Sequence, residues 1–121
     1  MTLREKQELF LQLLCGLITH VYTVPGRTCT GGELWRSDAT AEAMAAQGKG
    51  IANSVHRLRL AIDLNLFVDG VWQQGTEAHR EIGEWWEQQH PLCRWGGRFK
   101  DSKGNPKPDG NHYGLTHNGV S

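Results

Sequence analysis

Leu3, Phe10, Leu13, Leu14, Leu17, Ile18 and Val21 recur at helical spacing, and Thr2 with Glu5 makes a capping-box pattern. Residues 3–22 are therefore predicted to form an amphipathic helix whose apolar stripe packs on a core. Pro25-Gly26 breaks the chain. Residues 28–36 read as a strand with a kink at Gly31-Gly32, and Ser37 or Asp38 can cap a second helix over 38–47, ended by Gly48 and Gly50. The run from Arg59 to Phe67 reads as a strand, and Asp69-Gly70 as a hairpin turn that returns through Val71, Trp72 and Gln73. A third helix is predicted over 76–89, with Thr76 as its cap, Ile82, Trp85 and Trp86 as its apolar face and Pro91 as its stop. One ring of the Trp pair belongs in the core and the other under the loop at 90–95. Residues 94–121 show no period and read as a long loop. The pattern predicts an α+β fold, with about three helices and a small, mostly antiparallel sheet, in a single domain over 1–121.

Composition narrows the function classes. The chain has 121 residues, with 13 Lys+Arg against 13 Asp+Glu. Zero net charge argues against a nucleic-acid binder, which usually carries a basic excess. The longest apolar stretch, Leu9 to Ile18, is interrupted by Gln12 and falls far short of the ~20 residues of a membrane span. Glu5 and Glu8 also spoil it as a signal peptide, so synthesis in a cytoplasm without an export signal is expected. The chain holds 15 glycines and 5 tryptophans, which points to much irregular structure and a groove. Cys15, Cys29 and Cys93 are scattered and odd in number, with no C-x-x-C, so neither a zinc ribbon nor a thioredoxin-type site is expected. A Cys29–Cys93 bridge stays open, and no cysteine has the partner pattern of a thiol nucleophile.

Two positions stand out chemically. Asp63 lies between Ile62 and Leu64 in an otherwise apolar strand, where a carboxylate is costly unless it is paired or binds a cation. Arg57 or Arg59 can pair it; alternatively it shares a cation with His56, seven residues earlier. Asp109-Gly110-Asn111-His112 then places an acid three residues before a histidine. Catalytic zinc takes three protein ligands and leaves one position for water, and His56, Asp63 and His112 would supply an N, O, N set. Asp109 would be the nearby carboxylate that accepts the water's proton. His20, His79, His90 and His117 fit no motif and read as surface or capping residues, although His117 is close enough in sequence to replace His112. The cations Arg94, Arg98, Lys100, Lys103 and Lys107 face one acid, Asp101, in their segment. They read as solvated charge or as a means of attracting an anionic cell wall or acidic peptide stems.

The stretch Ser54-Val55-His56-Arg57-Leu58-Arg59-Leu60-Ala61-Ile62-Asp63 resembles the S-x-H-x-x-G-x-A-x-D motif of the zinc D-Ala-D-Ala carboxypeptidase family. That family includes vancomycin-resistance-type peptidases and phage L-alanyl-D-glutamate endopeptidases (endolysins). Its second motif, an acid, two residues and a histidine, matches Asp109 to His112. Trp95-Gly96-Gly97 resembles a segment of the phage lysins, and Trp35-Arg36-Ser37 matches an upstream arginine set between strand and helix. The resemblance runs from about residue 30 to 113. It implies the family's zinc peptidase fold (hedgehog-like), with Zn²⁺ on His56, Asp63 and His112, Asp109 as general base and Arg36 holding the scissile carbonyl or its oxyanion. Ser54 would orient the site or touch substrate. Arg59 stands where the family usually has glycine, and would contact a substrate carboxylate or lie along the surface. The implied activity is cleavage of L-Ala–D-Glu in the peptidoglycan stem by a phage lysin. Such a lysin would be a monomer, made in the bacterial host cytoplasm and acting at the cell wall, with no nucleic-acid partner and no membrane insertion. D-Ala-D-Ala carboxypeptidase activity and a zinc-bound, non-catalytic binding module are the alternatives.

Overall fold

The computed structural model describes residues 1–121. Helix α1 (Leu3–Val21) begins with the expected capping box: Thr2 Oγ1 accepts from the Glu5 N–H, and the Glu5 carboxylate accepts from the Thr2 N–H. Its buried positions Phe10, Leu14, Leu17 and Val21 are spaced 4, 3 and 4 apart, which puts them on one face. Strand β1 (Arg27–Gly31) follows, and then α2 (Asp38–Ala46), capped by the Ser37 hydroxyl accepting from the Thr40 N–H at 3.0 Å. A short 3₁₀ turn (Val55–Leu58) leads into β2 (Ala61–Val68), the central strand. Asp69 and Gly70, with φ of 49° and 80°, turn the chain into β3 (Val71–Gln73), as the Asp-Gly signal requires.

The third helical segment differs from its prediction. A 3₁₀ turn over Thr76–His79 precedes α3 (Arg80–Glu87), and Thr76 does not cap it. The final segment is also more regular than its sequence. It contains β4 (Cys93–Trp95), a 3₁₀ turn (Gly96–Arg98) and β5 (His112–Leu115). These strands are only three and four residues long, too short to show a period.

The sheet order is β1-β2-β5-β4 with β3 also on β2, and every pairing is antiparallel. Strand β2 changes partner along its length. Ala61, Ile62 and Asp63 pair with β5, whereas Leu64 to Val68 pair with β1. Helices α1 and α3 cover one side of the sheet, and Trp86, Trp95, Tyr113 and Phe10 are the largest side chains buried there. Trp86 donates its indole N–H to the Gly114 carbonyl at 3.2 Å and meets Phe10 edge to face. Trp85 does not pack under the 90–95 loop; it stacks on His20 with centroids 4.2 Å apart. His79 is buried against the Tyr113 hydroxyl at 2.8 Å, and burial holds its pKa below the ordinary value. All three cysteines are free, so the Cys29–Cys93 bridge does not form. No helix is long and apolar enough to cross a membrane.

Helix α3 lies on Trp95 through Gly83, where an added Cβ would run into the indole ring. Alanine normally stabilises a helix interior by about 1 kcal/mol over glycine. Here the ring is fully buried and cannot swing away, so Gly83→Ala is expected to destabilise the fold by about 1–3 kcal/mol. Denaturant unfolding of the variant tests this. Equal or greater stability would contradict the packing of α3 on Trp95.

Candidate active site

Backbone pairing assembles the site. Asp63 and His112 are direct cross-strand partners in β2 and β5. On the other side of β2, the Asp63 N–H donates to the Glu33 carbonyl and the Gly32 N–H to the Asp63 carbonyl, both at 2.8 Å. A Cβ on Gly32 would lie 2.9 Å from that carbonyl oxygen, so the kink at Gly31-Gly32 is a close backbone approach. His56 sits in the 3₁₀ turn before β2, where the Ser54 hydroxyl accepts from its N–H at 3.2 Å. The carbonyl of His56 in turn accepts from the Arg36 N–H at 3.2 Å.

The side chains converge. One ligand-type atom from each of His56, Asp63 and His112 lies within 4.8 Å of the others. His56 Nε2 is 3.3 Å and His112 Nδ1 3.7 Å from Asp63 Oδ1. Neither distance is a hydrogen bond here, and Asp63 Oδ1 is buried without a hydrogen-bond partner. A buried carboxylate oxygen facing two ring nitrogens at these distances is what a divalent cation would satisfy. The His56 ring is oriented for that role, because Nδ1 lies 3.3 Å from the Leu34 carbonyl. Donation to that carbonyl places the proton on Nδ1 and leaves the Nε2 lone pair toward Asp63. Burial and the charge of His56 push the pKa of His112 down to about 4, so its ring is neutral, as a ligand requires. Burial also lowers the pKa of His56, but the adjacent Asp63 outweighs it and the net shift is upward.

Asp109 approaches the same cluster, its Oδ2 lying 3.9 Å from His112 Nδ1. Burial raises its pKa, and the charge of Asp63 raises it further, against the opposing pull of His56 and Arg36. Arg36 is buried to 8% exposure, and its Nε donates to Glu33 Oε1 at 2.7 Å. Glu33 is the site residue the sequence reading passed over. It aims Arg36, and its only sequence signal is an acid three positions before that arginine.

Trp95-Gly96-Gly97 has a structural reason. The Trp95 indole donates to the Gly110 carbonyl at 2.7 Å, and the Asp109 N–H donates to the Gly96 carbonyl at 2.8 Å. A Cβ at Gly96 would strike the Asp109 carbonyl and lie 2.8 Å from the His112 Cβ, and one at Gly97 would strike the Trp95 ring. The segment is a cradle for the loop that carries Asp109 and His112.

The structure thus brings Arg36, Ser54, His56, Asp109 and His112 to the walls of one groove of about 870 Å³, with Asp63 beneath. Arg59 is not in those walls. It has φ 57°, ψ 38°, the left-handed conformation that explains glycine in the motif, and its guanidinium lies over Trp35 at 5.0 Å. Arg57 reaches Asp38 rather than Asp63. His117 approaches Lys6, His20 pairs with Glu81, and His90 accepts from the Leu92 N–H, so none of these joins the cluster.

The α+β fold thus carries a two-histidine, one-carboxylate cluster that could hold a metal ion, with a further acid beside it. The family model described as D-alanyl-D-alanine carboxypeptidase matches residues 33–115, and the chain belongs to that family. Its fold is also that of the L-Ala D-Glu endopeptidase ChiX of Serratia marcescens, with a TM-score of 0.70 over 93% of this chain and 85% of that one, at 19% identity. No curated protein sequence matches the chain.

The left-handed backbone at residue 59 gives a signed test. Arg59→Gly relieves the backbone cost while losing the contact with Trp35, so its stability is expected within about 1 kcal/mol of wild type. Arg59→Ala loses the contact without the relief and is expected to be about 1 kcal/mol less stable than Arg59→Gly. An alanine variant as stable as the glycine one would contradict the conformation.

Proposed function

We propose that the protein is a zinc-dependent peptidoglycan peptidase that cuts the L-Ala–D-Glu bond of the peptide stem. The observation that carries this reading is the convergence of His56, Asp63 and His112 on one point, with Asp109 beside it and Arg36 in the same groove. The orphaned Asp63 oxygen and the neutral His112 ring suit zinc. Zinc held there supplies Lewis acidity and brings the pKa of a bound water toward ~7.

The chain's own groups divide the remaining work. Asp109 takes the proton of the attacking water and passes it to the leaving amine. Its raised pKa brings it closer to the pH at which a carboxylate both accepts and returns a proton. Arg36, fixed by Glu33, stabilises the negative charge that develops on the carbonyl oxygen. Ser54 holds the His56 turn by capping it.

Cleavage inside a chain, rather than at its end, is supported by the shape of the site. A second hollow of about 260 Å³, lined by Asn65, Trp72 and Asn111 among others, shares Pro108 and Asp109 with the main groove. A substrate that occupied both hollows would extend past Asp109 in both directions, which a terminal-residue peptidase does not need. Trp95-Gly96-Gly97 supports the lysin branch of the family, acting at the cell wall as a monomer. D-Ala-D-Ala carboxypeptidase activity is the second reading, favoured by the family description over residues 33–115.

Digestion of purified muropeptides, with product masses read with and without a chelator, tests the proposal. Chelator-sensitive release of the stem from L-Ala is expected; loss of terminal D-Ala alone would establish the second reading. Asp109→Asn is expected to lower turnover by roughly 10²-fold or more while keeping the fold. Full turnover in that variant would remove Asp109 from the mechanism.

A further inference from the structure

The whole chain is neutral, yet the main groove is not. Its walls carry Arg36, Lys49, Arg94, Arg98, Lys100 and Lys107 against the carboxylate side chains of Glu87 and Asp109. Three of the cations are occupied by the protein itself. Arg36 is held by Glu33, Arg98 donates to Glu87 at 2.7 Å, and Arg94 donates to the carbonyls of Pro91 and Cys93. Lys49, Lys100 and Lys107 form no ion pair.

Two of these lysines stand on an ordered element. Lys100 and Pro106 form a bridge, the Lys107 N–H donates to the Phe99 carbonyl at 2.9 Å, and the Asp101 N–H donates to the Asn105 carbonyl at 2.8 Å. The acid in this finger, Asp101, is committed to its turn, where it accepts from the N–H groups of Lys103 and Asn105, both at 2.9 Å. Lys49 approaches from the loop between Gly48 and Gly50. A groove lined by three unpaired ammonium groups attracts a ligand with several carboxylates and has little to offer its carboxamide counterpart.

We propose that Lys49, Lys100 and Lys107 read the free carboxylates of the stem peptide, so that the site selects acidic stems over amidated ones. This rests on the reading of the groove as a peptide-cleaving site. The lysines are specificity residues and take no part in proton transfer.

The test uses two stem-peptide analogues in which the scissile N–H is replaced by CH₂, one with free carboxylates and one with those groups as carboxamides. Each is fluorescently labelled, and binding to the zinc-loaded protein is measured by anisotropy. The acidic analogue is expected to bind about tenfold more tightly, an advantage that shrinks as salt rises. Lys100→Gln with Lys107→Gln is expected to remove most of that advantage and to leave the carboxamide analogue within about twofold. Lys49→Gln, in a separate loop, is expected to lower it by a smaller factor. Equal affinity of wild type for the two analogues, or equal weakening of both by the substitutions, overturns the proposal. Failure to cleave muropeptides alongside a retained preference for the acidic analogue would instead contradict the peptidase reading and leave the lysine wall standing.

Discussion

A carboxylate oxygen buried on the central strand is the constraint on which the rest of the site depends. Asp63 lies between the buried Ile62 and Leu64 but points to the opposite face of β2, where its Oδ1 is buried with no hydrogen-bond partner. An ionised group in that position is tolerable only with a positive charge beside it. Arg57 turns to Asp38 and Arg59 to Trp35, which leaves two imidazoles. One is supplied by cross-strand pairing with β5 and the other by the turn before β2. A divalent cation held by these three residues would resolve the conflict, and the same conflict suits the position for chemistry.

Close backbone packing sets the accuracy of the arrangement. Gly32, Gly96 and Gly110 stand where a Cβ would meet Asp63, Asp109 and Thr76 respectively. Trp95 braces the Asp109–His112 loop through the Gly110 carbonyl and is itself pressed between Gly83 and Gly97. Helix α3 thus supports the Asp109–His112 loop through the Trp95 ring. Part of the glycine-rich composition reflects these close approaches.

Much of this was legible in the residues. The capping box of α1, the Asp-Gly hairpin and the anomaly of Asp63 each have a local physical signature, and each is present in the fold. Strands β4 and β5 were not legible, because they are short and owe their existence to pairing with β2 and with each other. Glu33 was missed because its role is set by where the chain crosses β2. Arg59 was legible as a departure, but only its backbone angle shows why the motif has glycine there. The unpaired lysines could be counted in sequence; the placement of Lys100 and Lys107 in the groove depends on the finger built around Asp101.

Metal binding is the most direct test of the account. Zinc would be titrated into metal-free protein while thermal unfolding and native mass are followed, for the wild type and for Asp63→Asn. The account predicts one zinc per wild-type chain with a rise in Tm, because a ligand that binds only the folded state stabilises it. It also predicts loss of both effects in Asp63→Asn. No zinc uptake by the wild type, or equal uptake by the variant, would contradict the assignment of the buried carboxylate.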